Sequence, residues 1–132
     1  MTNSIDAVVA EGVAATIATY AHALDDGRTD DIVALFCADG TAEILGAGAF
    51  EGHDAIRALY TGLVPTQPQR HLVANTVITT VSADEATAIS DFVFVQRGEA
   101  GWIVPVTGQY EDTLRKQDGK WLFHHRRTTF VP

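Results

Sequence analysis

Residues 108–121, GQYEDTLRKQDGKW, have the pattern of one β-strand, a tight turn and the start of a second strand. Asp118-Gly119 is a dipeptide that two-residue hairpin turns favour, because both central residues need a positive φ. Strand-like alternation continues on both sides, so the stretch predicts an antiparallel hairpin. Including this hairpin, four strands are predicted at about 70–82, 86–97, 101–116 and 120–131, with turns at 82–85, 98–101 and 116–120. The second half of the chain is therefore expected to be an antiparallel meander.

The beginning of the chain carries a helix pattern instead. Apolar residues recur every three or four positions after Ser4, which suits a helix cap, and the stripe ends near Asp25-Asp26-Gly27. The stripe consists of Val9, Val13, Ile17, Tyr20 and Leu24. The segment lacks the basic flank of a signal peptide and contains Asp6 and Glu11, so we expect neither a secretion signal nor a membrane span.

Two further helices are predicted before the meander. The first has Thr29 as its cap and ADG at 38–40 as its stop. A short strand, TAEIL (41–45), and a glycine-rich turn or bulged hairpin at 46–52 follow, and the next helix starts at His53. The residues expected to face inward are Ile32, Leu35 and Phe36 in one helix and Ile56, Leu59 and Tyr60 in the other. Helices followed by a meander predict an α+β fold with the helices on one face of a curved sheet.

Length and charge limit the class of protein. The 132 residues suit one domain spanning 1–132, and the formal net charge is −8. Negative charge repels phosphate backbones and anionic membranes, so we expect no nucleic-acid or membrane partner and favour a neutral or apolar small molecule. Cys37 is the single cysteine, which excludes an internal disulfide and a thiolate zinc site. A reducing compartment follows, and the expected location is cytoplasmic.

Alternation along each strand assigns its side chains to two faces. His71, Val73, Asn75 and Val77 are expected to share one face. The shared face of the third strand holds Trp102, Val104, Val106, Gly108, Tyr110 and Asp112. On the last strand, Trp121, Phe123, His125 and Arg127 are expected opposite Leu122, His124, Arg126 and Thr128. Glu111 and Asp112 therefore form no carboxylate pair, and one of the two adjacent arginines is expected to bind a buried acid while the other is solvated.

Four segments together match a known pattern. They are YAHALDDGRTDDIVALFCADG (20–40), AFEGHDAI (49–56), RHLVAN (70–75) and GQYEDTLRKQDGKW (108–121). Through them nearly the whole chain resembles the SnoaL-like branch of the nuclear transport factor 2-like superfamily, which includes scytalone dehydratase, bile-acid dehydratase, ketosteroid isomerase and polyketide cyclases. The resemblance implies a cone-shaped, curved, antiparallel or mixed sheet that packs against three N-terminal helices and encloses a pocket. It does not fix the reaction, because enzymes and catalytically silent proteins share this scaffold.

The resemblance also implies a site. In dehydratase-like members, an Asp near the end of the first helix is hydrogen-bonded to a His on the first long strand, and Asp25 and His71 occupy those places. A carboxylate that accepts one ring N–H leaves the other nitrogen as a base and stabilises the imidazolium. Tyr20 stands where relatives of bile-acid dehydratase have a tyrosine and would donate to a substrate oxygen. The chain departs from the pattern at Phe50, where these dehydratases often have a tyrosine, and in having no histidine on the second strand.

Each of these residues also has a purely structural interpretation. Spacing alone favours His71 as a strand-end histidine bonded to a backbone carbonyl. Tyr20 lies on the apolar stripe and could be core, and Asp25 could be a cap or a solvated carboxylate. Positions five apart lie about 140° apart around a helix, so Tyr20 and Asp25 reach one cavity only if the helix frays or turns there. The adjacent Asp26-Gly27 is consistent with such an end.

The remaining candidates are substrate contacts. Asn75 shares the predicted face of His71 and could orient a substrate. Candidate pocket walls are Phe50, Leu59, Phe92, Trp102 and Tyr110, residues that are more often core than ligand wall. No metal site is expected, because His124 and His125 point apart and His22 and His53 lack a second ligand at suitable spacing. No phosphate loop is found, and no cofactor is implied.

These features lead to one hypothesis with two alternatives. The hypothesis is a cofactor-independent lyase (dehydratase) or isomerase that acts on a hydrophobic, carbonyl-bearing compound such as a steroid or polyketide. His71 would take a proton beside the carbonyl, Asp25 would orient the imidazole and Tyr20 would stabilise the oxygen. An epoxide hydrolase or cyclase is the first alternative; the hydrolase would need an Asp-Arg-Asp set, for which Asp25, Asp91 and Arg97 exist. The second is a noncatalytic binding or assembly domain like the small subunit of ring-hydroxylating oxygenases.

The resemblance further implies a homodimer that forms through the outer face of the sheet. Exposed apolar residues at alternate strand positions would fit that arrangement.

Overall fold

The computed structural model describes residues 4–132, with side chains from Asp6 onward, so the cap predicted at the Ser4 side chain lies outside the described residues. The helices are α1 (Ser4–Asp25), α2 (Thr29–Ala34) and α3 (Gly52–Thr61). The strands are β1 (Phe36–Ile44), β2 (Gly48–Glu51), β3 (Gln69–Val81), β4 (Glu85–Gly98), β5 (Gly101–Gln117) and β6 (Lys120–Val131). The predicted meander is present as β3 to β6.

The strands form one mixed sheet in the order β2-β1-β6-β5-β4-β3. β1 lies parallel to β6, and the other neighbouring strands pair antiparallel. In the β5–β6 hairpin, Gln117 pairs with Lys120 around Asp118 and Gly119, which have φ values of 51° and 78°. These values are those of the tight hairpin turn that the Asp-Gly pair predicts. The predicted α+β class, with a sheet packed against N-terminal helices, is confirmed.

Helix α1 packs its apolar stripe against the sheet. The stripe residues Val9, Val13, Ile17, Tyr20 and Leu24 are all buried in the core, as predicted. Gly12 allows the close approach, since a Cβ there would lie 2.4 Å from Trp121 Cδ1. One turn further on, the Thr16 hydroxyl donates to the Trp121 carbonyl at 2.5 Å. Residues 6–25 are long and apolar enough to cross a membrane, but a buried core helix has the same composition, and here the stripe is packed inside the domain.

The second helix is shorter than predicted. It ends at Ala34, and Phe36 begins β1 instead of facing inward from the helix. Phe36 pairs with Phe123 of β6, and the Phe123 N–H donates to the Leu35 carbonyl at 2.8 Å. Phe36 is still buried, as expected, but strand pairing with a distant residue has overridden the local helical pattern.

Several predicted face assignments are wrong because the strands contain irregularities. In β3 the register shifts between Ala74 and Val77, where Asn75 has a left-handed φ of 57°. In β6 it shifts at His124, and the β4–β5 pairing shifts after Phe94. An extra residue reverses which side chains point inward. Asn75 and Val77 are predicted to share the face of His71, and Trp102 and Val104 that of Tyr110, but all four are exposed. In β6, Arg126 and Thr128 are buried, whereas Arg127 is exposed and His125 is half-buried.

Candidate active site

A cavity of about 220 Å³ lies between α1, α3 and the inner face of the sheet. The lining side chains with polar atoms are Tyr20, Tyr60, His71, Tyr110 and Thr128. The rest of the wall is aliphatic or aromatic and comprises Leu24, Ile44, Ala47, Leu59, Leu63, Phe92, Phe94, Val106 and Phe130. Such a wall suits a mainly apolar ligand that carries few polar groups.

Asp25 and His71 are in contact at the edge of this cavity. His71 Nδ1 lies 2.7 Å from Asp25 Oδ1, and the His71 backbone N–H donates to Asp25 Oδ2 at 2.7 Å. The Gln69 side-chain amide also donates to Oδ1, at 3.1 Å. The helix ends at Asp25 and β3 starts at Gln69, so a helix terminus meets a strand start and the carboxylate receives three donors.

These hydrogen bonds set the charge of Asp25 and the tautomer of His71. Burial by itself would raise the pKa of Asp25, but the hydrogen bonds from the His71 ring, the His71 backbone and Gln69 outweigh it and lower that pKa overall. The carboxylate is therefore ionised at neutral pH and can only accept, so Nδ1 carries the ring proton. In the neutral form of the ring this tautomer places a lone pair on Nε2, which is the arrangement a general base needs.

Two phenylalanines of β4 hold the imidazole in place. The His71 ring lies 4.7 Å from Phe94 and 5.9 Å from Phe92, measured between centroids. Phe94 is the register partner of His71, and Phe92 that of Val73. The side chain of His71 is 13% exposed, so the ring is largely buried and keeps access to the cavity.

Tyr20 shares a hydrogen bond with a second tyrosine that sequence reasoning did not select. The hydroxyl oxygens of Tyr20 and Tyr60 are 2.6 Å apart, and both rings are buried. Burial raises the pKa of both hydroxyls, so both remain protonated. One hydroxyl donates to the other, which leaves one proton of the pair for a further acceptor. Tyr60 lay on the predicted inward side of α3, but nothing local indicated its polar contact.

A buried ion pair lies next to the tyrosines. Arg126 Nε is 3.1 Å from Asp112 Oδ1, and both side chains are almost fully buried. The guanidinium carbon lies 3.4, 4.2 and 4.6 Å from the ring centroids of Tyr110, Tyr20 and Phe123. Burial raises the pKa of Asp112 to about 6, and Arg126 opposes that rise. Arg126 thus binds a buried acid while the adjacent Arg127 is exposed, which confirms the prediction for these two arginines.

The structure brings some of the predicted site residues together and separates others. His71, Tyr20, Leu59, Phe92 and Tyr110 line the cavity, and Asp25 lies behind His71. Phe50 packs against the core but is not in the cavity wall. Asn75 and Trp102 are exposed, because register shifts in β3 and in the β4–β5 pairing place them outside.

The Asp-Arg-Asp set of the epoxide hydrolase alternative is not assembled. Asp25 is bound to His71, whereas Asp91 is exposed and accepts hydrogen bonds from Asn75 at 2.9 Å and Gln109 at 3.4 Å. Arg97 is exposed near the end of β4. Within residues 4–132, no group of three or more His, Cys, Asp or Glu side chains is placed to hold a metal ion.

The fold and the cavity together define a class of protein, the α+β proteins of the nuclear transport factor 2-like, or cystatin-like, fold. Solved structures described by these two names have the same fold as this chain. A family model described as a SnoaL-like domain matches residues 9–127. The chain therefore belongs to the SnoaL-like family, and the resemblance seen in the sequence is confirmed. No curated protein matches it.

Three solved structures illustrate the range of proteins with this fold. A variant of Rv3472, a Mycobacterium tuberculosis protein of unknown function, is 26% identical, with a TM-score of 0.88 over 98% of this chain and 76% of that one. A candidate scytalone dehydratase from Novosphingobium aromaticivorans is 25% identical, with a TM-score of 0.88 over 99% of this chain and 89% of that one. The β subunit of a candidate aromatic-ring-hydroxylating dioxygenase from the same organism is 20% identical, with a TM-score of 0.85 over 98% and 93% of the two chains. The last likeness shows the fold alone.

Proposed function

We propose that the protein is a cofactor-independent lyase or isomerase that removes a proton beside the carbonyl group of an apolar small molecule. The observation that carries this proposal is the Asp25–His71 hydrogen bond of 2.7 Å at the wall of an apolar cavity. An ionised carboxylate on one ring nitrogen and a free lone pair on the other form a general base. The likeness to a candidate scytalone dehydratase supports the same class of reaction.

The proposed reaction begins at His71 Nε2. This nitrogen takes the proton from the carbon next to the carbonyl, the C–H electron pair forms the enolate, and Asp25 stabilises the imidazolium that results. The tyrosine hydroxyl of the Tyr20–Tyr60 pair whose proton is not used within the pair donates a hydrogen bond to the enolate oxygen and stabilises its negative charge. Return of the proton from His71 to another carbon gives isomerisation. In dehydration the enolate electrons form the new double bond, the C–O bond to a β-hydroxyl group breaks, and His71 gives its proton to the departing oxygen, which leaves as water.

Cavity size bears on the substrate. A volume of about 220 Å³ is below the roughly 300–1,000 Å³ of most ligand pockets. We therefore favour a polyketide-like compound of one or two rings over a steroid.

The first test follows proton abstraction directly, without knowledge of the natural substrate. The protein is incubated with 1-tetralone, a bicyclic ketone, in D2O near neutral pH, and deuterium incorporation beside the carbonyl is followed by mass spectrometry. We expect catalysed exchange in the wild type and a loss of about 10²–10⁴-fold in His71→Ala, the usual contribution of a general base. Asp25→Asn should also slow exchange, because the imidazolium loses its counter-charge.

His124→Ala is the matched control, since His124 lies on β6 near Asp39, outside the cavity wall and away from Asp25 and His71. This variant should exchange at the wild-type rate. Exchange that survives in His71→Ala would exclude the proposed base. Binding of 1-tetralone without exchange in any variant would favour the noncatalytic binding or assembly domain.

A further inference from the structure

The Tyr110 hydroxyl is a polar group that the proposed reaction has not used. Tyr110 lines the cavity and is 2% exposed. Tyr20 and Tyr60 bind each other, but the Tyr110 hydroxyl forms no hydrogen bond with another group of residues 4–132. The hydroxyl oxygen is not among the fully buried side-chain atoms that lack a partner, so open space adjoins it, and Tyr110 belongs to the cavity wall. A polar ligand atom in the cavity would give this hydroxyl a hydrogen-bond partner.

The surroundings of Tyr110 fix its ring. Phe92 stacks on it at a centroid distance of 4.6 Å and an interplanar angle of 21°, and the Arg126 guanidinium carbon lies 3.4 Å from its centroid. Asp112, two residues along the same strand, is the register partner of Arg126 and its ion-pair partner. The cation is thereby held against the ring, and the ring has little freedom to turn away.

Tyr110 and His71 also face the same ligand space. Phe92 lies between them, 5.9 Å from the His71 ring and 4.6 Å from the Tyr110 ring. A ligand about the size of a ring that rests on Phe92 would reach the base at one end and the phenol at the other. Burial raises the pKa of Tyr110, so the hydroxyl is protonated and available as a donor at neutral pH.

We infer that the Tyr110 hydroxyl donates a hydrogen bond to the substrate oxygen, and that the Arg126 cation stacked on its ring strengthens this donor as negative charge develops on that oxygen. The inference rests on the proposed function and adds a second donor to the Tyr20–Tyr60 pair. Two donors on one oxygen form an oxyanion site, where a fixed donor is worth more than in water. Asp112 holds Arg126 in place and is a positioning residue.

The experiment measures binding separately from reaction. 2-Naphthol carries a hydroxyl oxygen on two fused rings, and naphthalene has the same rings without the oxygen. Fluorescence titration of both probes is carried out on the wild type and on Tyr110→Phe, which keeps the ring, its Phe92 stacking and its Arg126 contact. We expect Tyr110→Phe to weaken the binding of 2-naphthol about three- to tenfold, which is the effect of one hydrogen bond. The affinity for naphthalene should stay unchanged.

A second readout links the residue to the reaction. Exchange of 1-tetralone should fall at least tenfold in Tyr110→Phe, with a smaller change in KM than in kcat, because the donor acts mainly on the charged oxygen. Circular dichroism and thermal unfolding check that Tyr110→Phe and His71→Ala are folded.

The inference is overturned if Tyr110→Phe loses the same affinity for both probes, or if it loses affinity for neither. It is also overturned if 2-naphthol at millimolar concentration does not bind the wild type. Its failure can be told apart from failure of the proposed function. Selective loss of 2-naphthol in Tyr110→Phe, together with unchanged exchange in His71→Ala, would keep Tyr110 as an oxygen donor and reject the base. A base confirmed by His71→Ala with no effect of Tyr110→Phe would reject this inference alone.

Discussion

The Asp25 carboxylate holds the candidate site together through three hydrogen bonds. Its side chain is 5% exposed, and its partners come from the beginning of β3, more than forty residues away in the chain. A buried carboxylate without these donors would be unfavourable, and the donors without the carboxylate would be left unsatisfied. The same contacts that orient His71 therefore also contribute to the stability of the fold.

A pH dependence of stability follows from Asp25. Its folded-state pKa lies below the ordinary value of 3.8, so its carboxylate stabilises the folded protein above that pH, and the contribution is lost as the pH falls through the folded pKa. Asp25→Asn should lower the free energy of unfolding by roughly 1–3 kcal/mol at pH 7. Urea denaturation from pH 7 to pH 3 should show this gap between wild type and variant narrowing below about pH 4.

Asp26→Asn is the control for this effect. Asp26 is exposed and lies 3.6 Å from Arg28 in a surface ion pair, which contributes little to stability. Its unfolding free energy should stay within about 0.5 kcal/mol of the wild type. A gap that is equally large for both variants, or one that does not change with pH, would contradict the role assigned to the Asp25 carboxylate.

Gly108 lies on β5 between two residues of the cavity wall, Val106 and Tyr110. The absence of a side chain at Gly108 leaves room for the ring of Phe92 from the neighbouring strand β4. A Cβ at Gly108 would lie 2.2 Å from the Thr129 carbonyl oxygen and 2.4 Å from Phe92 Cε2. Phe92 in turn stacks on Tyr110 and lies near His71. A glycine is therefore required at position 108 for the Phe92 ring to reach its place in the cavity wall.

Gly108→Ala should destabilise the protein by about 2 kcal/mol or more, the effect of overpacking against backbone and a fixed ring. It should also weaken naphthalene binding, because Phe92 is displaced from the wall. Gly98→Ala is the matched control in the same sheet, where the nearest atom to an added Cβ is 3.8 Å away. Equal effects of the two variants on chemical denaturation would show that close packing at Gly108 is not the cause.

The edge strand β3 carries exposed apolar side chains on the outer face of the sheet. Leu72 is 56% exposed and Val77 is 52% exposed, and both belong to β3. Leu72 lies between His71 and Val73, whose side chains face inward, so its side chain faces outward. Apolar side chains that remain exposed on a sheet often mark a contact surface.

We propose that this face joins two copies of the chain. Analytical ultracentrifugation of the wild type should give twice the 14.2 kDa of one chain, and a Leu72→Lys/Val77→Lys double variant should sediment as the monomer. Ala14→Lys, on the exposed side of α1, should leave the mass unchanged. A wild-type monomer at tens of micromolar would reject the proposal.

Local sequence pattern by itself determined the order of the elements, the Asp118-Gly119 turn and the buried stripe of α1, because turn chemistry and helical period act between neighbouring residues. The motifs around Asp25 and His71 also led to their contact, through the family they resemble. Only the tertiary structure decided the rest. The register shifts that turn Asn75 outward and Arg126 inward depend on cross-strand pairing, and so does the early end of α2 before Phe36. The Tyr20–Tyr60 bond and the stacking of Arg126 on Tyr110 join residues far apart in the chain, and periodicity along one element carries no information about such partners.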